Sequence, residues 1–271
     1  MHTPLPESCR PWAELSVQTA QTVVGVLTDI DDTLTTEGHI TAEAMEGLLA
    51  LRAAQVPVIA ITGRPMGWSE PFARDWPLDA IVAENGAVAL FRQGDTLHVE
   101  YAQDAPTRER NAHRLREVAQ RVMREVPGAT PSQDSPGRVT DIAIDHGEFA
   151  HLSPAQIEQV LRVMRQEGMN ATVSSIHING WFGEHTKLSG ARWIVQRLLG
   201  RALDAEGPQW VYVGDSTNDQ LMFGHFSLSV GVANLMRFAD QLHTWPAFIT
   251  QGERGAGFAE VAATLIKARR G

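Results

Sequence analysis

Cysteine is nearly absent from this 271-residue chain. Cys9 stands alone, so no disulfide can form within the chain, and without Cys pairs or His at ligand spacing a structural zinc site is not expected. Basic charge is also scarce. Against 32 Asp and Glu there are 23 Lys and Arg, a formal net charge of −9 that argues against a broad footprint on nucleic acid or anionic lipid. No apolar run approaches the roughly 18 residues of a membrane span, and the first ten residues lack the basic start and apolar stretch of a signal peptide. The expectation is a cytoplasmic protein with neither nucleic acid nor membrane among its partners, built as one large domain or as an ordinary core carrying a smaller one.

What is present is an alternation of short β-rich runs with longer helical patterns, the order of a mostly parallel sheet covered by helices on both faces. Residues 23–28, 58–61, 80–83, 210–213 and 228–232 read as buried strands, with a last short one at 248–250 before a terminal helix. Thr41 caps a helix that carries Met45, Leu48 and Leu49, and residues 188–199 make another. Between Asn85 and Glu184 the pattern changes. Residues 141–145 and 176–179 alternate as in one-faced sheets. One amphipathic stripe runs through Leu115, Val118, Ala119, Val122 and Val126, and a second helix opens on the capping box Ser153, Pro154, Gln156 and stops at Gly168. This stretch reads as an inserted α+β domain, with the Pro- and Ser-rich 130–137 as a loop inside it.

Four segments carry the chemistry. Asp29, Ile30, Asp31, Asp32 and Thr33 follow the first strand, at the sheet edge where ligands bind in open α/β folds. Gly214, Asp215, Ser216, Thr217, Asn218 and Asp219 leave another strand on the same edge. Converging carboxylates repel unless compensated, and a hard divalent cation with oxygen ligands, Mg²⁺, is the economical partner. Thr62, Gly63, Arg64 and Pro65 combine a hydroxyl, a Gly backbone N–H and a new helix N-terminus suited to an anion, and Lys187 adds a positive charge at the mouth of a helix. Taken singly, each has an ordinary explanation as a solvated turn or a surface lysine. P-loop, zinc-protease and nucleophile-elbow motifs are all missing.

In their order, Asp-x-Asp-x-Thr, Thr-Gly, Lys and Gly-Asp-x-x-Asn-Asp, these segments resemble the haloacid dehalogenase-like superfamily of phosphotransferases over residues 23–261. The long interval from Thr62 to Lys187, introduced by Glu84, Asn85, Gly86 and Ala87, is similar to the Cof-type subfamily IIB, which includes sucrose-phosphate and mannosyl-3-phosphoglycerate phosphatases. The resemblance implies a Rossmann-like doubly wound core with a cap inserted after the third core strand: core at 21–85 and 186–271, cap at 86–185, and a 1–20 extension. It also implies that Asp29 is the nucleophile that forms an aspartyl-phosphate, and Asp31 the general acid and base. Thr62, Gly63 and Lys187 would hold the phosphoryl group, with Asn218 orienting it or Lys187. Mg²⁺ would sit on Asp29, the Asp31 carbonyl and Asp215, with Asp219 in support. Asp32 departs from the pattern, since many subfamily members have Gly there.

The expected activity is Mg²⁺-dependent hydrolysis of a small phosphorylated metabolite, a sugar phosphate. A phosphosugar mutase on the same scaffold and a catalytically silent phosphometabolite-binding regulatory module are the alternatives. For the substrate, Arg64 in the core and His177, Asn179 and Trp181 on the insert are the candidates, each weighed against capping, surface or packing roles.

Overall fold

The apolar runs 25–28, 58–61 and 80–83 have every residue buried, as strands covered on both faces require. The computed structural model, which describes residues 5–6 and 8–270, sets them in a nine-stranded sheet. Its order is Arg10–Pro11, Phe248–Ile249, Leu228–Gly231, Trp210–Gly214, Gly25–Thr28, Val58–Ile61, Ala80–Ala83, Val88–Gln93, Thr96–Tyr101. The first seven run parallel, and the last two join as an antiparallel hairpin whose first strand pairs antiparallel with Ala80–Ala83. Val26, Val58, Ala60 and Ile81 pack in one layer with helices Ala42–Ala53 and Arg254–Arg270, while Leu27, Ile59, Val82 and Tyr212 pack in the other with helix Lys187–Leu199. The doubly wound core is therefore as expected. No helix among the described residues is long and apolar enough to cross a membrane.

Two expected boundaries move. The insert was expected from residue 86, but Val88–Gln93 and Thr96–Tyr101 form a hairpin that continues the core sheet. The reason is burial on both faces: Val88 and Leu90 enter one core layer, Ala89 and Phe91 the other. At the opposite edge, the expected 1–20 extension is core material over its described part. Arg10–Pro11 pairs with Phe248–Ile249, and Trp12 is fully buried edge-on against Phe248 at 5.5 Å.

The insert proper begins at helix Ala105–Glu125, started by Asp104, whose carboxylate accepts the Thr107 N–H. Its antiparallel sheet has the order Asn170–Val173, His177–Trp181, Asp141–Asp145, Thr130–Pro131. Asn170–Val173 is a strand the sequence reading omits, and its mixed Asn-Ala-Thr-Val character gives little periodic signal. Ile142, Ile144 and Ile178 face the two helices of the insert. Because Asp141 opposes Trp181, Ala143 opposes Asn179 and Asp145 opposes His177, those six side chains share the other face.

Candidate active site

The strand Gly25–Thr28 delivers Asp29 to the sheet edge, where its N–H still donates to the Val213 carbonyl at 2.8 Å. Directly afterwards the chain turns so tightly that the Ile30 carbonyl accepts the N–H groups of Thr33, Leu34 and Thr35. Asp32 takes a φ of +54° in this turn, which explains why Gly suits the position. Asp is among the side chains that tolerate that region, and here its carboxylate pairs with Arg254 at 3.1 Å.

The neighbouring strand, Trp210–Gly214, brings Asp215 and Asp219 beside Asp29; one oxygen of each of the three buried carboxylates lies within 4.8 Å of the other two. Lys187 is the buried counter-ion, with Nζ 3.1 Å from Asp29 and 2.7 Å from Asp219. It opens the helix Lys187–Leu199, whose start is a capping box between Thr186 and Ser189. Asp219 also accepts from the Tyr212 hydroxyl on one oxygen and from the N–H groups of Asp215 and Ser216 on the other, at 2.9 and 3.2 Å. Gly214 is required by this packing, since a Cβ there would lie 2.5 Å from Asp219 Oδ2. Asp215 is steadied by Asn234 Nδ2 and the Thr33 hydroxyl, both at 3.4 Å.

Burial pushes the Asp29 carboxyl up to about 7, with Lys187 opposing and Asp219 and Asp31 adding to the rise. Burial also drives Asp215 well above the carboxylate range, helped by Asp219 and Asp29. Desolvation disfavours the Lys187 ammonium, but Asp219 and Asp29 outweigh it and hold the charge. Three buried carboxyl groups share one ammonium, so ionising all of them needs further positive charge, and the oxygen donor set fits a hard divalent cation.

The loop after Val58–Ile61 closes the other side. Thr62 Oγ1 accepts the Arg64 N–H at 3.0 Å, and the Thr62 carbonyl accepts the Asn85 N–H at 3.0 Å. The Gly63 carbonyl faces the insert, taking donors from Arg138 at 2.9 Å and Asn179 at 3.3 Å. Glu84, completely buried, accepts from Met66 N of the core and from Val139 N, Thr140 N and the Thr140 hydroxyl of the insert.

The expected core residues thus gather at one sheet edge, while several finer expectations meet different surroundings. Asn218 bonds the Ser216 hydroxyl at 2.8 Å, and it is Asp219 that holds Lys187. Arg64 meets carboxylates: Asp31 through Nε at 3.0 and 3.1 Å, Asp134 at 3.2 Å and Glu148 at 3.0 Å. His177 sits on Glu148 at 3.0 Å, and Asn179 on Asp141 at 3.1 Å as well as on Gly63. Trp181 is 3% exposed, its indole N–H donates to the His185 carbonyl, and its ring stacks on His185, an arrangement of packing at the return crossing. Sequence reasoning missed Tyr212, Asn234, Asp134, Glu148 and Arg138. Tyr212, one of only two tyrosines and in a buried strand two residues before Gly214, carried the one usable signal, because a buried hydroxyl needs a partner.

No curated protein matches the chain in sequence. Residues 26–115 match the family model of haloacid dehalogenase-like hydrolases. Among solved structures, a Thermoplasma acidophilum protein is 13% identical with a TM-score of 0.69, covering 90% of this chain and 98% of its own. The sucrose-phosphatase of Synechocystis, solved with sucrose and phosphate, is 17% identical with a TM-score of 0.63 over 90% and 98%. A sugar phosphatase described as subclass IIB of the haloacid dehalogenase superfamily is 17% identical with a TM-score of 0.58 over 91% and 97%. The family match therefore takes in Asp29 and Thr62, and the fold is shared with these solved structures along about nine-tenths of the chain.

Proposed function

We propose that the chain is a Mg²⁺-dependent phosphatase that hydrolyses a small sugar phosphate through an aspartyl-phosphate on Asp29. The observation that carries this reading is the constellation of Asp29, Lys187 and Asp215 at one strand edge, roofed by a hydrogen-bonding face of the insert. One structural relative was solved with sucrose and phosphate, which supports a sugar phosphate as the substrate class. Asp29, Asp215 and the Asp31 main-chain carbonyl are the ligands we assign to the metal, with Asp219 behind them. Bound there, Mg²⁺ supplies neutralisation of phosphoryl oxygen charge. The buried Cys9 suits a reducing cytoplasm, the compartment we assign.

In this mechanism Lys187, the Thr62 hydroxyl and the Gly63 N–H hold the phosphoryl oxygens while Asp29 Oδ attacks phosphorus in line. The phosphorus–oxygen bond to the sugar breaks, and Asp31 gives its proton to the departing oxygen. The resulting Asp31 carboxylate then takes a proton from the water that attacks phosphorus and releases Asp29.

The test is phosphate release from a panel of phosphorylated metabolites with Mg²⁺, using Asp29→Ala as control. Wild type should release phosphate from at least one sugar phosphate, Asp29→Ala should not, and quenched enzyme should carry phosphate on Asp29. Wild-type turnover by Asp29→Ala, or full activity in chelator at nil metal content, contradicts the reading. Isomer formation with a sugar bisphosphate, in place of net release, assigns the mutase instead.

A further inference from the structure

The guanidinium of Arg64 lies where core and insert meet, and its side chain is only 6% exposed. From the core it receives Asp31, whose two oxygens both accept from Nε at 3.1 and 3.0 Å, with Nη2 3.0 Å from Oδ1. From the insert it receives Asp134 Oδ2 on Nη1 at 3.2 Å and Glu148 on Nη2 at 3.0 Å and on Nη1 at 3.4 Å. Its planar fork is therefore shared among three carboxylates from three separate segments, and Trp68 covers one face with its ring centroid 4.9 Å from Cζ. The insert side of the cluster is itself braced. Glu148 pairs with His177 at 3.0 Å, and Asp134 is held by Arg138 and the Ser132 hydroxyl. Glu148 stands on the backbone turn that Asp145 organises by accepting the N–H groups of Gly147, Glu148, Phe149 and Ala150.

We propose that Arg64 is a positioning residue that makes the orientation of Asp31 depend on docking of the insert. With Glu148 and Asp134 seated, the guanidinium plane is fixed from the far side, and Asp31 can take only one orientation against it. With the insert undocked, Arg64 keeps a single carboxylate, Asp31, beside the Trp68 ring, and the long side chain regains rotamers. Proton transfer at the leaving oxygen is then efficient only in the closed enzyme, where water is excluded. The same cation stabilises the negative charge that builds on Asp31 as its proton departs to the leaving oxygen and the phosphorus–oxygen bond breaks. This inference rests on the phosphatase reading above and deepens it.

The test is the dependence of kcat/KM on leaving-group acidity for a series of substituted phenyl phosphates, from nitrophenyl to methylphenyl, in wild type, Arg64→Lys, Glu148→Gln and Asp31→Asn. These esters share size and shape and carry no sugar hydroxyls, so loss of a sugar contact would not change the slope. A correctly held acid matters most where the leaving oxygen is most basic. Arg64→Lys and Glu148→Gln should therefore lose roughly threefold or less on the nitrophenyl ester and at least about tenfold on the methylphenyl ester, approaching the steeper slope of Asp31→Asn. Glu148 is partly exposed, so its variant keeps the question answerable should Arg64→Lys melt early. A uniform loss across the series in the melting-competent variants, or no loss, overturns the role of Arg64 and leaves the phosphatase reading standing. A wild type that cleaves none of the esters and no sugar phosphate overturns both.

Discussion

Both oxygens of Asp219 are taken by donors of this chain, so its contribution at the site is to hold other groups in place. Lys187 and Tyr212 converge on one oxygen and two backbone N–H groups on the other, so an amide there would leave at least one donor facing an NH₂. Asp219→Asn should cost about 3–5 kcal/mol of stability, the range for breaking a buried charge pair, and lower turnover because Lys187 is no longer aimed at Asp29. Tyr212→Phe removes one hydrogen bond and should cost about 1–3 kcal/mol with turnover nearly intact. Denaturant melts paired with phosphate-release rates check both. If Asp219→Asn melts like wild type, its carboxylate is not the anchor described here.

At the scale of elements, the turn Glu84–Gly86 joins three parts of the site. It passes the Asn85 N–H to the Thr62 loop, uses Glu84 to grip the insert at residues 139 and 140, and lies against the start of the helix that bears Lys187. Gly86 has a φ of +109°, and a Cβ there would lie 2.1 Å from the Thr186 carbonyl oxygen. Gly86→Ala should therefore push the helix start away and misplace Lys187. The expected result is a drop in melting temperature together with weaker binding of inorganic phosphate, measured by product inhibition. An alanine variant with unchanged melting and inhibition would mean that the helix start can give way without cost. Trp181 belongs to this scale too. Packed on His185, it stiffens the crossing back to the core and offers the cleft no polar atom.

For the molecule as a whole, burial of carboxylates links stability to pH. Asp29 and Asp141 are each pushed up to about 7 from an ordinary 3.8, because burial outweighs the opposing charge of Lys187 in the first case and of Arg138 in the second. The unfolded chain loses these protons near pH 4, whereas the folded chain keeps them until about 7. Between those limits the folded state binds more protons, so stability falls as pH rises. On the proposed reading, Mg²⁺ would bind the ionised carboxylates and offset the repulsion around Asp29 and Asp215. The rise in melting temperature on adding Mg²⁺ to metal-free protein should therefore be small near pH 5.5 and larger near pH 8. Equal rises at both pH values, or none, would count against a cation among these groups.

The sequence by itself determined the core sheet, the order of its chemical segments and the existence of an inserted domain. Those signals are local: an apolar tetrapeptide buried on both faces reads as a strand wherever it lies, and Asp29, Thr62 and Asp215 follow such strands directly. Only the tertiary structure decided which partners those residues keep. The hairpin Val88–Tyr101 joined the core because its alternate side chains met both core layers, which no local pattern separates from an insert strand. Arg64 met Asp134 and Glu148 across sequence separations of 70 and 84 residues, and His177 met Glu148 rather than solvent. A charged side chain carries no sign in sequence of which distant carboxylate will neutralise it, because that choice is made by how the insert docks on the core.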